Sequence, residues 1–404
     1  MHAKGLHRDH GESVSVVGAS ERSLMLVAGE PSGDAMAAGL VSALKGSLGQ
    51  QENLSFWGAG GEAMENAGVE VLIPLAKHGV FGFFEVIQHV LKLRRWMQQL
   101  VDHAIARRPK VIVLTDYAGF NLRFAKSLRK AIRRSKGSWN PYILYYVSPQ
   151  VWASRADRVY TLESNVDCLL SLFHFEKKWY HLRAPGFRVE YVGDPMRAKY
   201  QDLFPEADKA LSTPPSMVLL PGSRQGELKR HLPILREVLE HVQRRVVKVD
   251  CCMILTNQEH LEAAKGLLGS LPGLRFQEGG LSQALEQADL AIACSGTVTR
   301  ECAYHGVPTV VFYRLSWFTY QLARKLVQVK YISMPNIMLN REVFPEYIQQ
   351  EACGEKIAGK VLEMLQSASM RQEVRDALAE LMVEPATQRG FHQAAKVTLE
   401  YLQR

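Results

Sequence analysis

From Leu24 onward, short apolar runs alternate with longer stretches in which apolar residues recur every three or four positions. LMLVA (24–28) predicts a buried strand, followed by the turn GEPSGD and a helix over about 35–45. LSFWG (54–58) and VEVLI (69–73) predict two further strands, and a long helical pattern runs from about Phe84 to Arg107. KVIVLT (110–115), YILYYV (142–147), DCLLSL (167–172) and RVEYVG (188–193) continue the alternation. A polar, proline-containing stretch (198–215) separates this series from a second one: SMVLL (216–220), CCMIL (251–255), LRF (274–276), LAIAC (290–294) and TVVFY (309–313). Beyond Ser316 the pattern is almost entirely helical to Arg404. Strand-length apolar runs alternating with amphipathic helices predict βαβ units on parallel sheets. The expected architecture is α/β: two facing doubly wound parallel-sheet domains with a helical C-terminal tail. Its boundaries are a polar extension (1–23), a first domain (24–197), a linker (198–215), a second domain (216–370) and C-terminal helices (371–404).

Composition narrows the class. Of 404 residues, 47% are hydrophobic and 22% charged, ordinary values for packed domains. No apolar run approaches the ~18 residues that a membrane-crossing helix needs. Residues 1–23 lack the apolar core of an export signal. The six cysteines form no C-x-x-C pair, which removes the usual zinc and redox motifs and fits a reducing, cytoplasmic setting. His2, His7 and His10 are scattered in the extension and carry no metal motif. Lys and Arg total 49 against 41 Asp and Glu, a formal net charge of +8. That excess suits an anionic ligand, a membrane surface or nucleic acid, and does not choose among them.

Sheets of this kind bind ligands outside the carboxyl ends of their strands. The junctions to inspect are therefore Gly29–Asp34, Asp116–Asn121, Ser148–Arg155, Pro221–Glu227 and Ser295–Glu301. At Pro221-Gly222-Ser223-Arg224, small residues permit close backbone approach and Arg224 offers a planar fork for phosphate oxygens. A plain turn with Arg224 in solvent explains the string equally well. Ser295-Gly296-Thr297 precedes a helix whose first N–H groups would face an anion. Glu301 follows, where a carboxylate could accept both hydroxyls of a ribose, so the pair together describes a nucleoside diphosphate. Asp116 ends a strand, where it suits a general base, although aspartate is also a favoured turn residue. In Val80–Leu100 the aromatics Phe81, Phe83 and Phe84 precede Lys92, Arg94 and Arg95, a pattern that fits either a membrane-facing anchor or a core helix with one solvated side.

GEPSGD, VFGFFEV, DYAGFN, YYVSPQVWASR, LLPGSRQGE, SGTVTRECAYHGVPTVVFYR and YISMPN…VFPEYIQ, in this order between Leu24 and Gln349, resemble the lipid-A-disaccharide synthase family. Single motifs such as a Gly-Ser-Arg turn are weak, whereas seven in register are specific. The resemblance implies an inverting glycosyltransferase of GT-B architecture, acting in lipid A (lipopolysaccharide) biosynthesis at the cytoplasmic face of the inner membrane. It implies transfer from UDP-2,3-diacylglucosamine to 2,3-diacylglucosamine 1-phosphate (lipid X), releasing UDP and lipid A disaccharide 1-phosphate, with a final helix able to pack back on the first domain. It casts Asp116 as the base or an essential active-site group. Gly222, Ser223, Arg224, Ser295, Gly296, Thr297, Glu301, Asn336 and Gln349 would hold the UDP-sugar. Ser32, Gly33, Asp34, Glu85, Asn121 and Arg155 would line the cleft and acceptor side, while Phe81, Phe83, Phe84, Lys92, Arg94 and Arg95 would face anionic lipid.

No cofactor and no metal ion are expected, since Arg224 and backbone donors can neutralise a diphosphate and no metal-like carboxylate pair appears. Nucleic acid is not an expected partner, because no RNP, zinc or helix-turn-helix signature is present; self-association into a homo-oligomer is left open. Three positions depart from the family pattern: Asp194 in Gly-Asp-Pro where histidine is usual, Ser154 in place of an aromatic, and Ala118 in place of a proline. The nearest rival is another GT-B enzyme acting on a UDP-sugar, such as a UDP-N-acetylglucosamine 2-epimerase. A non-catalytic lipid- or nucleic-acid-binding protein is the rival of another class.

Overall fold

The computed structural model describes residues 23–48, 54–77, 86–135, 137–204, 210–246, 248–383 and 390–404. The polar extension before Ser23, together with Phe81, Phe83, Phe84 and Glu85, lies outside the described residues. A first sheet contains β1 (Ser23–Ala28), β2 (Ser55–Ala59), β3 (Glu70–Ile73), β4 (Val111–Thr115), β5 (Tyr142–Tyr146), β6 (Cys168–Ser171) and β7 (Val189–Tyr191), in the order β3-β2-β1-β4-β5-β6-β7. A second contains β8 (Ser216–Leu220), β9 (Asp250–Leu255), β10 (Leu274–Glu278), β11 (Leu290–Cys294), β12 (Thr309–Tyr313) and β13 (Glu346–Ile348), in the order β10-β9-β8-β11-β12-β13. β1 runs parallel to β2 and β4, and β8 runs parallel to β9 and β11. β1, β4 and β11 are buried along their whole length, as expected for strands covered by helices on both faces.

Each sheet reverses its strand order once among its central strands: between β1 and β4 in the first, between β8 and β11 in the second. At such a switch point the connections leave in opposite directions and open a crevice at the strands' carboxyl ends. Gly29–Asp34 and Asp116–Asn121 follow β1 and β4, and Pro221–Arg224 and Ser295–Thr297 follow β8 and β11. Topology alone therefore sets the candidate loops where each sheet can take a ligand.

The chain divides into two compact units. One runs through Val147 and adds Ser164–Leu169 and Ala395–Arg404; the other comprises Ser148–Glu163 and Leu170–Ala394. The last helix, Phe391–Gln403, thus contributes most of its length to the first unit, where Tyr401 is buried edge-on against Tyr142 with ring centroids 5.0 Å apart.

Two local features differ from the sequence reading. The first helix, α1 (Pro31–Leu48), begins inside GEPSGD, because Pro31 presets the backbone of a first helical turn and lacks the N–H that such a turn leaves unbonded. The stretch after Ser316 is not wholly helical: β13 adds a parallel edge strand to β12. With three half-buried residues, β13 is too short to show strand periodicity. Among the described residues no helix is long and apolar enough to cross a membrane.

Candidate active site

In the first unit the site is a strained turn. Asp116 and Tyr117, between β4 and α4 (Ala118–Ser135), adopt left-handed φ values of 51° and 44°. Such conformations cost free energy for residues with side chains and persist only where the surroundings enforce them. The buried Asn121 amide supplies the constraint, donating to Thr115 O at 3.1 Å and Asp116 O at 2.9 Å, with a longer contact to Val27 O. Tyr145 Oη donates to Asp116 O at 2.6 Å. Gly29 and Gly33 leave room for the turn: a Cβ at Gly29 would lie 2.0 Å from the Tyr117 ring, and one at Gly33 3.2 Å from Asp116 Cβ. Among the described residues the Asp116 carboxylate itself receives one bond, from Ser32 Oγ at 3.1 Å. Asp34, two residues on, is committed differently: it is buried and accepts from the N–H groups of Gly61, Ala63 and Met64, anchoring the helix Glu62–Asn66.

The second unit presents two loops. After β8, Gly222 (φ 120°) turns the chain into α8 (Gln225–Gln243). The buried Glu227 reaches back under the turn. Its Oε2 accepts from Ser223 N and Arg224 N at 3.2 and 3.3 Å, and its Oε1 accepts from Arg224 Nη1 and Tyr313 Oη. A Cβ at Gly222 would meet that carboxylate at 2.6 Å, so glycine is needed for space as well as conformation. The Arg224 side chain remains 72% exposed. His231 supports the same turn, with Nδ1 2.7 Å from Pro221 O and Nε2 accepting from Arg314 N, which fixes one neutral tautomer; burial holds its pKa below the usual value. Burial, reinforced by the Glu227 charge, pushes the Tyr313 phenol up to about 12.

After β11, Gly296 and Thr297 are exposed, and the N–H groups of Gly296, Thr297 and Val298 have no partner among the described residues. Ser295 Oγ donates to Ile332 O at 2.7 Å. Glu301, on the helix Val298–Tyr304, accepts from Tyr200 Oη at 3.1 Å, and burial raises its pKa. Asn336 and Gln349 serve the backbone. Asn336 bonds the main chain of Val343 and Phe344 and the Glu346 carboxylate, and Gln349 (φ 56°) accepts from Leu315 N. Arg155 is exposed with φ 59°, just after the buried Trp152.

Sequence reasoning left three anchors out of the site: Glu227, Glu176 and Tyr200. Glu227 stands three residues after the helix cap, the spacing of a carboxylate that bonds back to the cap N–H. Glu176 repeats that device, accepting from Phe173 N at 3.0 Å and from Trp152 Nε1 at 2.9 Å. Tyr200 had no signal, since its partner lies a hundred positions away. Asp194, the departure from Gly-His-Pro, is integrated by its neighbours: it accepts from Arg300 Nη1 at 2.7 Å, Tyr304 Oη at 2.9 Å and Met196 N at 3.0 Å.

The family model described as lipid-A-disaccharide synthetase matches residues 24–399. The chain belongs to the lipid-A-disaccharide synthase family. It is 33% identical over 383 residues to the lipid-A-disaccharide synthase of Coxiella burnetii, covering 92% of this chain and 96% of the relative. In fold it is similar to the calicheamicin glycosyltransferase CalG4 (TM-score 0.59, 14% identity, 95% of this chain and 99% of that one). It is equally similar to the UDP-GlcNAc 2-epimerase of Neisseria meningitidis, solved with UDP-GlcNAc (TM-score 0.59, 10% identity, 95% and 99%). The two parallel-sheet α/β domains are those of a GT-B enzyme; at these identities the structural likeness speaks for the fold alone.

The buried Glu176 gives a pH signature. Desolvation raises its carboxyl from the ordinary 4.5 to about 7, against hydrogen bonds from Ser148, Phe173 and Trp152 that favour the charged form. A raised folded-state value means that the folded protein holds this proton more tightly than the unfolded chain. Its contribution to stability is therefore full below about pH 4.5 and lost as pH rises through about 7, a loss on the order of 3 kcal/mol. Glu176→Gln removes the titration. In denaturant unfolding the variant should gain on the wild type by that order between pH 4.5 and 7.5, and a pH-independent difference between the two proteins would exclude Glu176 as a titrating group.

Proposed function

We propose that the chain joins UDP-2,3-diacylglucosamine to lipid X (2,3-diacylglucosamine 1-phosphate) in one inverting displacement, releasing UDP and lipid A disaccharide 1-phosphate. The observation that carries the mechanism is the state of Asp116: a strand-end carboxylate, its backbone locked, whose hydrogen-bond partner among the described residues is one exposed serine hydroxyl. A substrate hydroxyl can take the place of Ser32 without disturbing the fold. Asp116 would accept the proton of the acceptor 6-hydroxyl as its oxygen attacks C1 of the donor sugar, while the bond from C1 to the diphosphate oxygen breaks. Arg224 and the unbonded N–H groups of Gly296, Thr297 and Val298 suit the charge that builds on departing UDP. Glu301, bonded to a tyrosine hydroxyl, suits the ribose.

In this reading residues 24–197 bind the acceptor, 198–215 link, 216–370 bind the UDP-sugar, and 371–404 form the tail. Gly33, Asp34 and Asn121 then shape the acceptor side indirectly, by holding the Asp116 turn and its neighbour. Asn336 and Gln349 do the same for the nucleotide side. An epimerase is not favoured, because the family match spans residues 24–399 while likeness to epimerases is one of fold.

The acylated substrates imply a protein bound at the cytoplasmic surface of the inner membrane. α3 (Val86–Arg107) supports this: Lys92, Arg94 and Arg95 are exposed beside Leu91, which is 60% exposed.

Three measurements test the reading. Asp116→Asn should lower kcat by about 10²- to 10⁴-fold with little change in donor KM; near wild-type turnover would remove Asp116 as the base. Arg224→Ala should weaken UDP binding about 10- to 100-fold, the worth of a charge-assisted hydrogen bond to phosphate, and unchanged UDP affinity in calorimetry would take Arg224 out of the donor site. Reversing Lys92 and Arg95 to Glu should weaken sedimentation with phosphatidylglycerol vesicles by about tenfold or more; equal sedimentation of variant and wild type would count against membrane attachment through α3.

A further inference from the structure

Beside the Asp116 turn, the first unit holds a cavity of about 530 Å³ between α3 and α4. Its sides are two helix faces, Leu93, Arg94 and Met97 from α3 and Phe120, Arg123 and Lys126 from α4. Residues spaced three apart share a helix face, so Phe120, Arg123 and Lys126 stand in a row. Ser127, which also lines the cavity, has its Oγ 3.9 Å from Met97 Sδ, joining the two helices there. Tyr117, the residue directly after Asp116, also lines it and stacks on Phe120 with centroids 5.9 Å apart. The cavity therefore begins at the turn that carries the proposed base.

Its charge is one-sided. Three cations and no carboxylate line it, and among the described residues Arg94, Arg123 and Lys126 form no ion pair. Arg129, further along α4 and not among the cavity-lining residues, shows the contrast: it is bonded to Asp167 at 2.6 Å and to Asn140 at 2.7 Å. Cations on a merely solvated helix face do not converge on a concavity with apolar walls. Cations with apolar walls fit an anionic group carried on an apolar body. An arginine fork beside a lysine point charge suits a phosphate with several free oxygens.

We propose that this cavity binds the phosphate-bearing end of the acylated sugar acceptor. Arg123 and Lys126 hold the phosphate, Arg94 adds to the field, and Leu93, Met97 and Phe120 lie against acyl methylenes. The inference rests on the acceptor assigned above and adds the residues that select it. The phosphate takes no part in bond making, so its binding free energy serves to orient the distant hydroxyl toward Asp116.

The test compares lipid X with the same diacylglucosamine lacking its phosphate, in detergent micelles, using full-length protein. Arg123→Ala combined with Lys126→Ala should lower kcat/KM for lipid X about 30- to 100-fold. It should leave the phosphate-free acceptor within about threefold and UDP affinity unchanged, while Arg123→Lys falls between because it keeps the charge but not the fork. An equal loss for both acceptors, or none for either, overturns the proposal. Loss of phosphatidylglycerol vesicle binding without any change in acceptor preference would overturn it too, assigning the cations to the bilayer. Direct binding of the two acceptors separates this inference from the reaction itself. If the wild type transfers no sugar yet binds lipid X in a phosphate-dependent way that the double variant loses, the cavity stands and the reaction reading falls. Phosphate-independent binding removes the cavity assignment.

Discussion

Carboxylates that accept main-chain N–H groups, buried at Asp34, Glu227 and Asp289 and half-buried at Glu346, hold loops of both units. Asp34 takes three such bonds, Glu227 takes two from the turn after β8, Asp289 takes two from Ser212 and Ser216, and Glu346 takes two from Ile332 and Ser333. Bonds of this kind are charge-assisted, and inside a low-dielectric interior they are stronger than neutral ones. Removing such a carboxylate leaves the buried N–H groups among them, those of Gly61 and Met64 on Asp34, unsatisfied at about 1–3 kcal/mol for each. These bonds tie the loop main chain to the protein without help from a ligand, the preorganisation that electrostatic stabilisation of a developing charge requires.

Against this background two carboxylates stand apart. Asp116 accepts from Ser32 Oγ and Glu301 from Tyr200 Oη, hydroxyls in both cases. A hydroxyl can rotate and exchange its partner, whereas a main-chain N–H at a strand end cannot leave without breaking the loop. The same division explains why so many conspicuous polar residues of the motifs face the protein. Asn121 bonds three carbonyls to hold the left-handed turn, and Asn336 and Gln349 each fasten one chain segment to another. The Asn121 side chain fixes the Asp116 main chain, while Asn336 holds Val343 and Phe344, and Gln349 holds Leu315.

The alternation of apolar runs was sufficient to locate β1, β4, β8 and β11 and hence the four junctions at the switch points, because strands buried on both faces write an uninterrupted apolar signature. The pattern did not reveal β13, whose half-buried residues carry no such run, or the start of α1 at Pro31, which looked like a turn for its glycine and proline. It also could not pair Asp194 with Arg300, or Glu301 with Tyr200, since only the folded chain brings residues a hundred positions apart together. The replacement of histidine by Asp194 shows the same limit. As a string it is an isolated change; in the structure its carboxylate is matched by an arginine, a tyrosine and a helix-start N–H.

Net charge acquires meaning only through its placement. Part of the positive charge is consumed internally: Arg300 is paired with Asp194, and the buried Arg371 donates to the carbonyls of Met364 and Leu365. The cations of α3 and α4 that have no carboxylate partner among the described residues belong to the first unit, where they create a local field that the modest total conceals. A surface for single-stranded nucleic acid would set aromatic faces in solvent among such cations for bases to stack on. Here the aromatic companion of Arg123 is Phe120, which is 4% exposed and already stacked against Tyr117. Charge arranged around a concave apolar wall suits a ligand that is itself part anion and part hydrocarbon better than one whose anionic backbone carries planar bases for stacking.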